Sequence, residues 1–473
     1  MKPKTPTNRA LSRRKFLATA CSTAFTLTVL PRNVLGGARF VPPSETVNIA
    51  VVGCGGQGRT NVRALFNEPD VRIIAVADPI EHHNLDRFYY KGVAGRKPVK
   101  AEIEKRYSST NPGYKCAEYE DFRVMFDKEK AIDAVLCATP DHLHVCVCVR
   151  AMRLGKHVYC EKPLAHCVEE VRLMARVARE TGVATQMGNQ GHSGEGIRAT
   201  VEWIRAGAIG PVREVHAWAG AGLWGTQLRG RPPEAPVPSG VNWDLWIGPR
   251  DPRPYSPAYT PVTWRDFWAF GTAPIGDMAC HNLDPAFWAL DLAAPATIEA
   301  TAAGGVDSEV VPVGSLYTYR YPARGDMPPV TVKWYDGGLR PPRPEDLDPD
   351  VQFGGGANGI LFIGDKGKIM CPGWGGDPTL VPLTLMDSYE RPPKTIPRVK
   401  GHHRDWIDAC KGGKPASANF EYGAKLTEVV LLGTVALRVG KPVNWDSAAM
   451  KATNAPEADR FLRNTYRAGW EPA

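Results

Sequence analysis

Gly53-Cys54-Gly55-Gly56-Gln57-Gly58 follows the apolar run Val47–Val52 and leads into a helix-like stretch from Thr60 to Phe66. Glycines at this spacing suit a phosphate cradle. Gly53 permits a tight turn, Gly55 lets the backbone approach a pyrophosphate, and Gly58 lets helix and strand pack closely. Gly56 and Gln57 complete the loop, and the helix N-terminus offers free N–H groups to the phosphates. Asp78 closes a second apolar run, Val71–Ala77, about 20 residues downstream, where a carboxylate can accept hydrogen bonds from both hydroxyls of a ribose. A 2′-phosphate would meet like charge there, so the pattern favours NAD over NADP.

A second reactive group lies further along the chain. Asp277 and His281 are four residues apart and share one face of any helix that carries them. Lys162 follows the strand-like His157–Cys160, with Glu161 before it and Pro163 after it. Hydride transfer from a secondary alcohol requires a base for the hydroxyl proton and a stabiliser for the developing oxygen charge. An imidazole and an amine supply such groups. Asp277, His281 and Asp284 are also spaced to hold a metal, but a dinucleotide already performs the redox step and no metal is expected. The adjacent pair His402–His403 is poorly placed to chelate.

Strands alternating with helices are required to present these residues. Val47–Val52, Val71–Ala77, Ala134–Ala138, His157–Cys160 and Val183–Met187 read as buried strands, and Glu118–Phe126, Val145–Leu154 and Val168–Thr181 as helices. The alternation implies a parallel sheet covered on both faces, an α/β doubly wound domain over residues 45–190. Beyond it, Val212–Trp218 alternates as an antiparallel strand does. Further strand-like pieces at 297–301, 315–321, 330–335, 359–363 and 368–371 predict an α+β domain over 191–440 with a large, mostly antiparallel open sheet. Arg229–Pro261 reads as loop, Ala424–Leu437 as a long helix, and 441–473 as an extension packing back on the body.

Ser12-Arg13-Arg14-Lys15-Phe16-Leu17 and the short apolar run to Leu30 predict a twin-arginine export signal over 1–36, cut near Val34–Gly36. The run is too short and too rich in Thr and Ser to span a bilayer, which needs about 20 apolar residues. Such a leader is an address and not an anchor. It implies a folded passenger carried by the twin-arginine translocase to the periplasm or beyond, with any bound dinucleotide inside. The leader contributes seven of the formal net charge of +8, so the remaining chain is near neutral and gives nucleic acid no electrostatic footing. The chain has 11 cysteines but no C-x-x-C, and most lie in apolar runs, as buried free thiols do.

Taken together, Gly53–Gly58, Asp78-Pro79, Ala138-Thr139-Pro140-Asp141-His142-Leu143-His144, Glu161-Lys162-Pro163 and Gly276-Asp277-Met278-Ala279-Cys280-His281 resemble, in order, the motifs of the Gfo/Idh/MocA oxidoreductases. The resemblance implies a Rossmann domain binding NAD(P), a carbohydrate or cyclitol substrate and a homo-oligomer. It implies His281 as base or proton relay, Lys162 polarising the same oxygen and touching the nicotinamide ribose, and Asp277 orienting the sugar or the imidazole. Thr139, Pro140, His144, Glu161 and Asn189 are expected at the cofactor, and Gln190, Trp264 and Arg265 at the substrate. A cis peptide before Pro163 would aim Lys162 inward. Relatives often carry an arginine after the strand ending at Met187, where this chain has Gln190-Gly191-His192-Ser193. Trp243, Trp246, Trp264 and Trp268 either line a saccharide site or pack beneath the large loop. Three outcomes are open: net redox with the cofactor restored by a second substrate, redox-neutral cleavage of a glycoside, or saccharide binding without turnover.

Overall fold

The computed structural model describes residues 45–472, and the expected export signal lies outside them. Six strands form the first sheet: β1 (Val47–Val52), β2 (Val71–Ala77), β3 (Ala117–Tyr119), β4 (Ala134–Cys137), β5 (His157–Cys160) and β6 (Thr185–Met187). Their order is β3-β2-β1-β4-β5-β6, and every pairing is parallel. Helices α1 (Gly56–Leu65), α2 (Arg96–Ser108), α3 (Phe122–Lys128), α4 (His144–Arg153) and α5 (Val168–Thr181) cover its faces. Strands covered on both sides have no solvent face, which is why β1 and β4 read as apolar runs, interrupted only by Asn48 in β1. The strand order reverses at β1 and β4. Open α/β sheets bind ligands beyond the carboxyl ends of the strands at such a point.

The structure departs from the sequence reading at the start of the expected helix Glu118–Phe126. Ala117–Tyr119 pairs with β2, and the helix begins only at Phe122 after the Asp121 cap. Asp121 accepts the Arg123 N–H, which fixes the helix start at that point. Helix α2 and a two-strand hairpin, His83–Asn84 with Val93–Ala94, fill the stretch after β2.

The second sheet has nine strands, of which β7 (Val212–Ala219), β8 (Thr297–Ala302), β9 (Ser315–Tyr321), β10 (Val330–Tyr335) and β11 (Asn358–Gly364) form the centre. Strand β7 is antiparallel to β11 but parallel to β10, so the sheet is mixed and mostly antiparallel. Along β9, Tyr317, Tyr319 and Tyr321 are buried. The long helix α10 (Phe420–Val439) meets them at Gly433, where a Cβ would lie 2.2 Å from the Tyr319 hydroxyl oxygen. On another part of the sheet, Leu347 and Phe353 of a loop pack with Trp218, Tyr335, Leu361 and Met370.

The late sequence returns to the first sheet. Helix α9 (His402–Cys410) places Trp406 and Ile407 in the core beside Ile49 and Ile73, and α10 packs against α5. Residues 443–446 pair with β8, and Trp470 packs against Phe122 with the Arg123 guanidinium 4.0 Å from its ring. No helix among the described residues is long and apolar enough to cross a membrane.

Candidate active site

A cavity of about 340 Å³ runs from the glycine loop to the helix that carries Asp277 and His281. At its first end Gly53 has φ +90°, and a Cβ there would lie 2.6 Å from the Ala138 backbone. A Cβ on Gly58 would lie 2.0 Å from the Gly53 carbonyl oxygen, so Gly58 is the packing glycine and not part of the cavity wall. Gly55 faces open space, as backbone that receives a phosphate must. Asp78 is buried at the end of β2, accepting the N–H groups of Cys54 (2.7 Å) and Ile80 (2.8 Å). The Arg96 guanidinium bonds the Asp78 carbonyl, but its charge is matched by Glu81, Glu118 and Glu120. These residues fit a dinucleotide with a free 2′-hydroxyl.

The hairpin after β2 folds back over this loop. Tyr90 donates its hydroxyl to Gln57 Oε1 (3.3 Å), and its ring lies where a Cβ on Gly56 would come within 2.3 Å. Arg59 holds the hairpin to α1 through the carbonyls of Lys91 and Val93. Nothing periodic in the sequence marked this segment as part of the site.

Glu161 sits beneath the middle of the cavity, accepting from Asn61 (2.8 Å), Gln190 (3.1 Å) and Gln57 (3.3 Å). Burial raises its pKa above the ordinary carboxylate value. Thr139, Pro140 and Gln190 line the cavity, whereas His144 and Asn189 lie outside its wall. Both His144 ring nitrogens are taken by backbone carbonyls, of Pro163 (2.8 Å) and Thr139 (3.0 Å), so this residue braces the two cofactor-side loops from behind. Asn189 donates to Asp284, which also receives His192 Nδ1 and the Tyr422 hydroxyl. Asp284 is thereby committed to a network separate from the Lys162–Asp277–Arg265 bonds.

At the far end, helix α7 (Ala273–Asn282) brings Asp277 and His281 to the cavity, and the Lys162–Pro163 peptide is cis. Lys162 Nζ donates to Asp277 Oδ1 (2.8 Å) and to the Asp277 carbonyl. Arg265 Nε reaches the same carboxylate oxygen at 3.2 Å, with its guanidinium 4.2 Å from the Trp264 ring. Burial alone would raise the Asp277 carboxyl, but Lys162 and Arg265 together hold it well below the ordinary range. Burial likewise opposes the charge on Lys162, and the Asp277 carboxylate outweighs it, leaving the ammonium with a raised pKa. Both partners are therefore charged at neutral pH.

His281 differs. Burial, reinforced by the Lys162 charge, lowers its pKa to about 3. Its Nδ1 is buried with no hydrogen-bond partner among the described residues, and its ring lies 5.1 Å from that of Trp374. A neutral imidazole at the cavity can accept a proton from a ligand hydroxyl, beside a cation able to stabilise the oxygen left behind.

Of the four tryptophans singled out in the sequence, Trp243 and Trp268 are core residues, while Trp246 and Trp264 reach the cavity. Tyr89, Trp224 and Trp374 also line it. Trp374 had a sequence signal in its glycine-flanked setting, Gly373-Trp374-Gly375-Gly376. His402 is bonded to the Met187 carbonyl and Ser193, and His403 stacks on Tyr159.

Residues 47–189 match the model of an oxidoreductase family with an NAD-binding Rossmann fold, and residues 212–369 match that family's C-terminal alpha/beta domain. The chain belongs to the Gfo/Idh/MocA oxidoreductase family. Its first domain is therefore an NAD-binding one. Among curated family members, levoglucosan dehydrogenase of Pseudarthrobacter phenanthrenivorans is 26% identical over 67% of this chain and 67% of its own length. A 2,7-anhydro-N-acetylneuraminate hydratase of Escherichia coli is 26% identical over 36% of this chain and 39% of its own. The WlbA dehydrogenase of Bordetella pertussis, solved with NADH and UDP-GlcNAcA, shares the fold at a TM-score of 0.56 and 16% identity, covering 85% of this chain and 99% of that one.

Proposed function

We propose that this protein is an exported oxidoreductase acting on a sugar, glycoside or cyclitol by hydride transfer to and from a tightly held NAD. The observation that carries this reading is the buried, neutral His281 beside the Lys162–Asp277–Arg265 charge cluster, in a cavity continuous with the glycine loop. When bound, NAD supplies the hydride acceptor. Gly53 to Gln57 and Asp78 hold it, and the Tyr90 hairpin closes over the loop. Lys162 donates a hydrogen bond to the reacting oxygen, and the His281 ring accepts the hydroxyl proton on the side that lines the cavity. An imidazole with a pKa of about 3 does not retain that proton beside Lys162, so His281 acts as a relay.

Export supports a cofactor that is restored within the site, because no dinucleotide pool exchanges with it outside the cell. The similarity to a hydratase favours a second reading within the same site. There, transient oxidation acidifies a neighbouring C–H, elimination follows and hydride returns, with no net redox. The test is the absorbance of the protein as isolated, after desalting, in the reduced-nicotinamide band, followed by addition of saccharides. Growth or bleaching of that band supports the activity. Protein that loses its dinucleotide on desalting refutes retention, and a band indifferent to every carbohydrate refutes the substrate class.

A further inference from the structure

Two groups of aromatic side chains at the cavity have no part in the mechanism above. Trp374 is 55% exposed and has φ +65°, a left-handed backbone that a bulky side chain rarely adopts. Its loop is clamped from all sides. A Cβ on Gly373 would lie 2.5 Å from Asn358 Cβ, one on Gly375 2.7 Å from Ile197 Cβ, and one on Gly191 2.2 Å from the Trp374 carbonyl oxygen. The Trp374 N–H donates to Asn282 (2.9 Å), the residue after His281, and the indole is left beside the His281 ring. The second group is carried by the hairpin. Tyr89 is 64% exposed, with its ring 4.0 Å from Tyr90 and 5.9 Å from Trp224. The Trp224 N–H donates to Asp266, next to Arg265.

Large aromatic faces held open to water at a binding cavity mark contact with a ligand. A pyranose ring offers the matching chemistry, with a C–H face for the aromatic and hydroxyls at its rim for carboxylate and guanidinium. We propose that these aromatics form two consecutive pyranose subsites. Trp374 lies under the ring whose hydroxyl reaches His281 and Lys162, and Tyr89 with Trp224 holds the next ring. The substrate is then a glycoside of at least two units. The inference rests on the carbohydrate activity proposed above.

The test titrates the holoenzyme with methyl pyranosides and the matching disaccharides of glucose, galactose and their N-acetylamino forms. It follows the nicotinamide band and, separately, tryptophan fluorescence. The disaccharide is expected to half-saturate both signals at a concentration at least ~10-fold lower, a difference of about 1.4 kcal/mol. Tyr89→Ala should reduce that advantage to under about twofold. Trp374→Gly, which suits the backbone at that position, should weaken both sugars on the fluorescence signal. Equal half-saturation by one and two rings in the wild type, or an advantage that survives Tyr89→Ala, overturns the second subsite. An aryl glycoside that gains as much as the disaccharide assigns that subsite to an aromatic aglycone and overturns the second pyranose. If neither signal responds to any carbohydrate, the proposed activity itself fails. A response independent of chain length removes only this inference.

Discussion

Replacing Lys162 with methionine keeps an unbranched chain one atom shorter and removes its charge, and the structure fixes three consequences. At an effective dielectric of about 20, unit charges 2.8 Å apart interact by about 6 kcal/mol, and those 3.2 Å apart by about 5 kcal/mol. Arg265 therefore keeps Asp277 paired after Lys162 is lost. The cost to stability should stay near ~1–2 kcal/mol, below the ~3–5 kcal/mol of an orphaned buried charge. Turnover should suffer more, because the lost donor faces the oxygen on which charge develops. Removing one such donor costs about 10²–10³-fold, or roughly 2.7–4 kcal/mol of barrier. The third consequence is specific to this geometry. Lys162 is one cause of the low His281 pKa, so its removal moves that pKa up from about 3. The acid limb of the residual rate should then shift to higher pH. Single-turnover reduction of the bound nicotinamide, followed from pH 3 to 8 in both proteins, measures rate and limb together. A rate within about tenfold of wild type, or an acid limb that stays put or moves down, refutes the role given to Lys162.

Three further outcomes are expected. His281→Gln should lower single-turnover rates by about 10²–10⁴-fold, while the wild type shows no inflection near the ordinary histidine pKa. Gly58→Ala places a Cβ 2.0 Å from a backbone oxygen that cannot yield, so thermal unfolding should reveal a loss of about 1–3 kcal/mol and desalting a loss of bound cofactor. Burial raises the Asp336 carboxyl from 3.8 to about 7, against the opposing hydrogen bonds of the Trp334 indole N–H and the Ser315 backbone. The folded state then binds more protons than the unfolded one between about pH 4 and 7, so stability falls as pH rises through that window, by at most ~4 kcal/mol. Asp336→Asn should flatten this slope in urea melts at pH 5 and pH 8. An unchanged slope refutes the assignment.

The parallel sheet was legible because strands buried on both faces must be largely apolar, as β1 and β4 are, and because their glycine turn has few physical alternatives. Asp277 and His281 were legible as reactive types on one helix face, and Lys162 through its resemblance to a family motif. What the sequence concealed depends on contacts between distant segments. The Tyr90 hairpin has no periodicity and gains its place only by packing on Gly56. His144 belongs to a motif that touches the cofactor loop, but two carbonyl partners turn it into a brace behind the cavity. The register of β7 against β10 is parallel because of how the chain crosses the sheet, which alternation in Val212–Trp218 does not encode.

The charges also change the part played by Asp277. Lys162 and Arg265 both reach the carboxylate through Oδ1, and no hydrogen bond among the described residues takes Oδ2. Two cations on one anion leave the cluster with a net positive charge in a buried site, where water cannot screen it. A neutral alcohol gains little from that charge, and the alkoxide-like oxygen of the transition state gains much, which is the difference that accelerates a reaction. Burial, together with the Lys162 charge, keeps His281 unprotonated and ready to accept. Asp277 is thus the anion that allows two cations to stand beside a neutral imidazole, with Oδ2 left to orient a sugar hydroxyl. Asp277→Asn should accordingly loosen both cations and lower the rate more than it weakens saccharide binding, whereas a role confined to sugar binding would show the reverse.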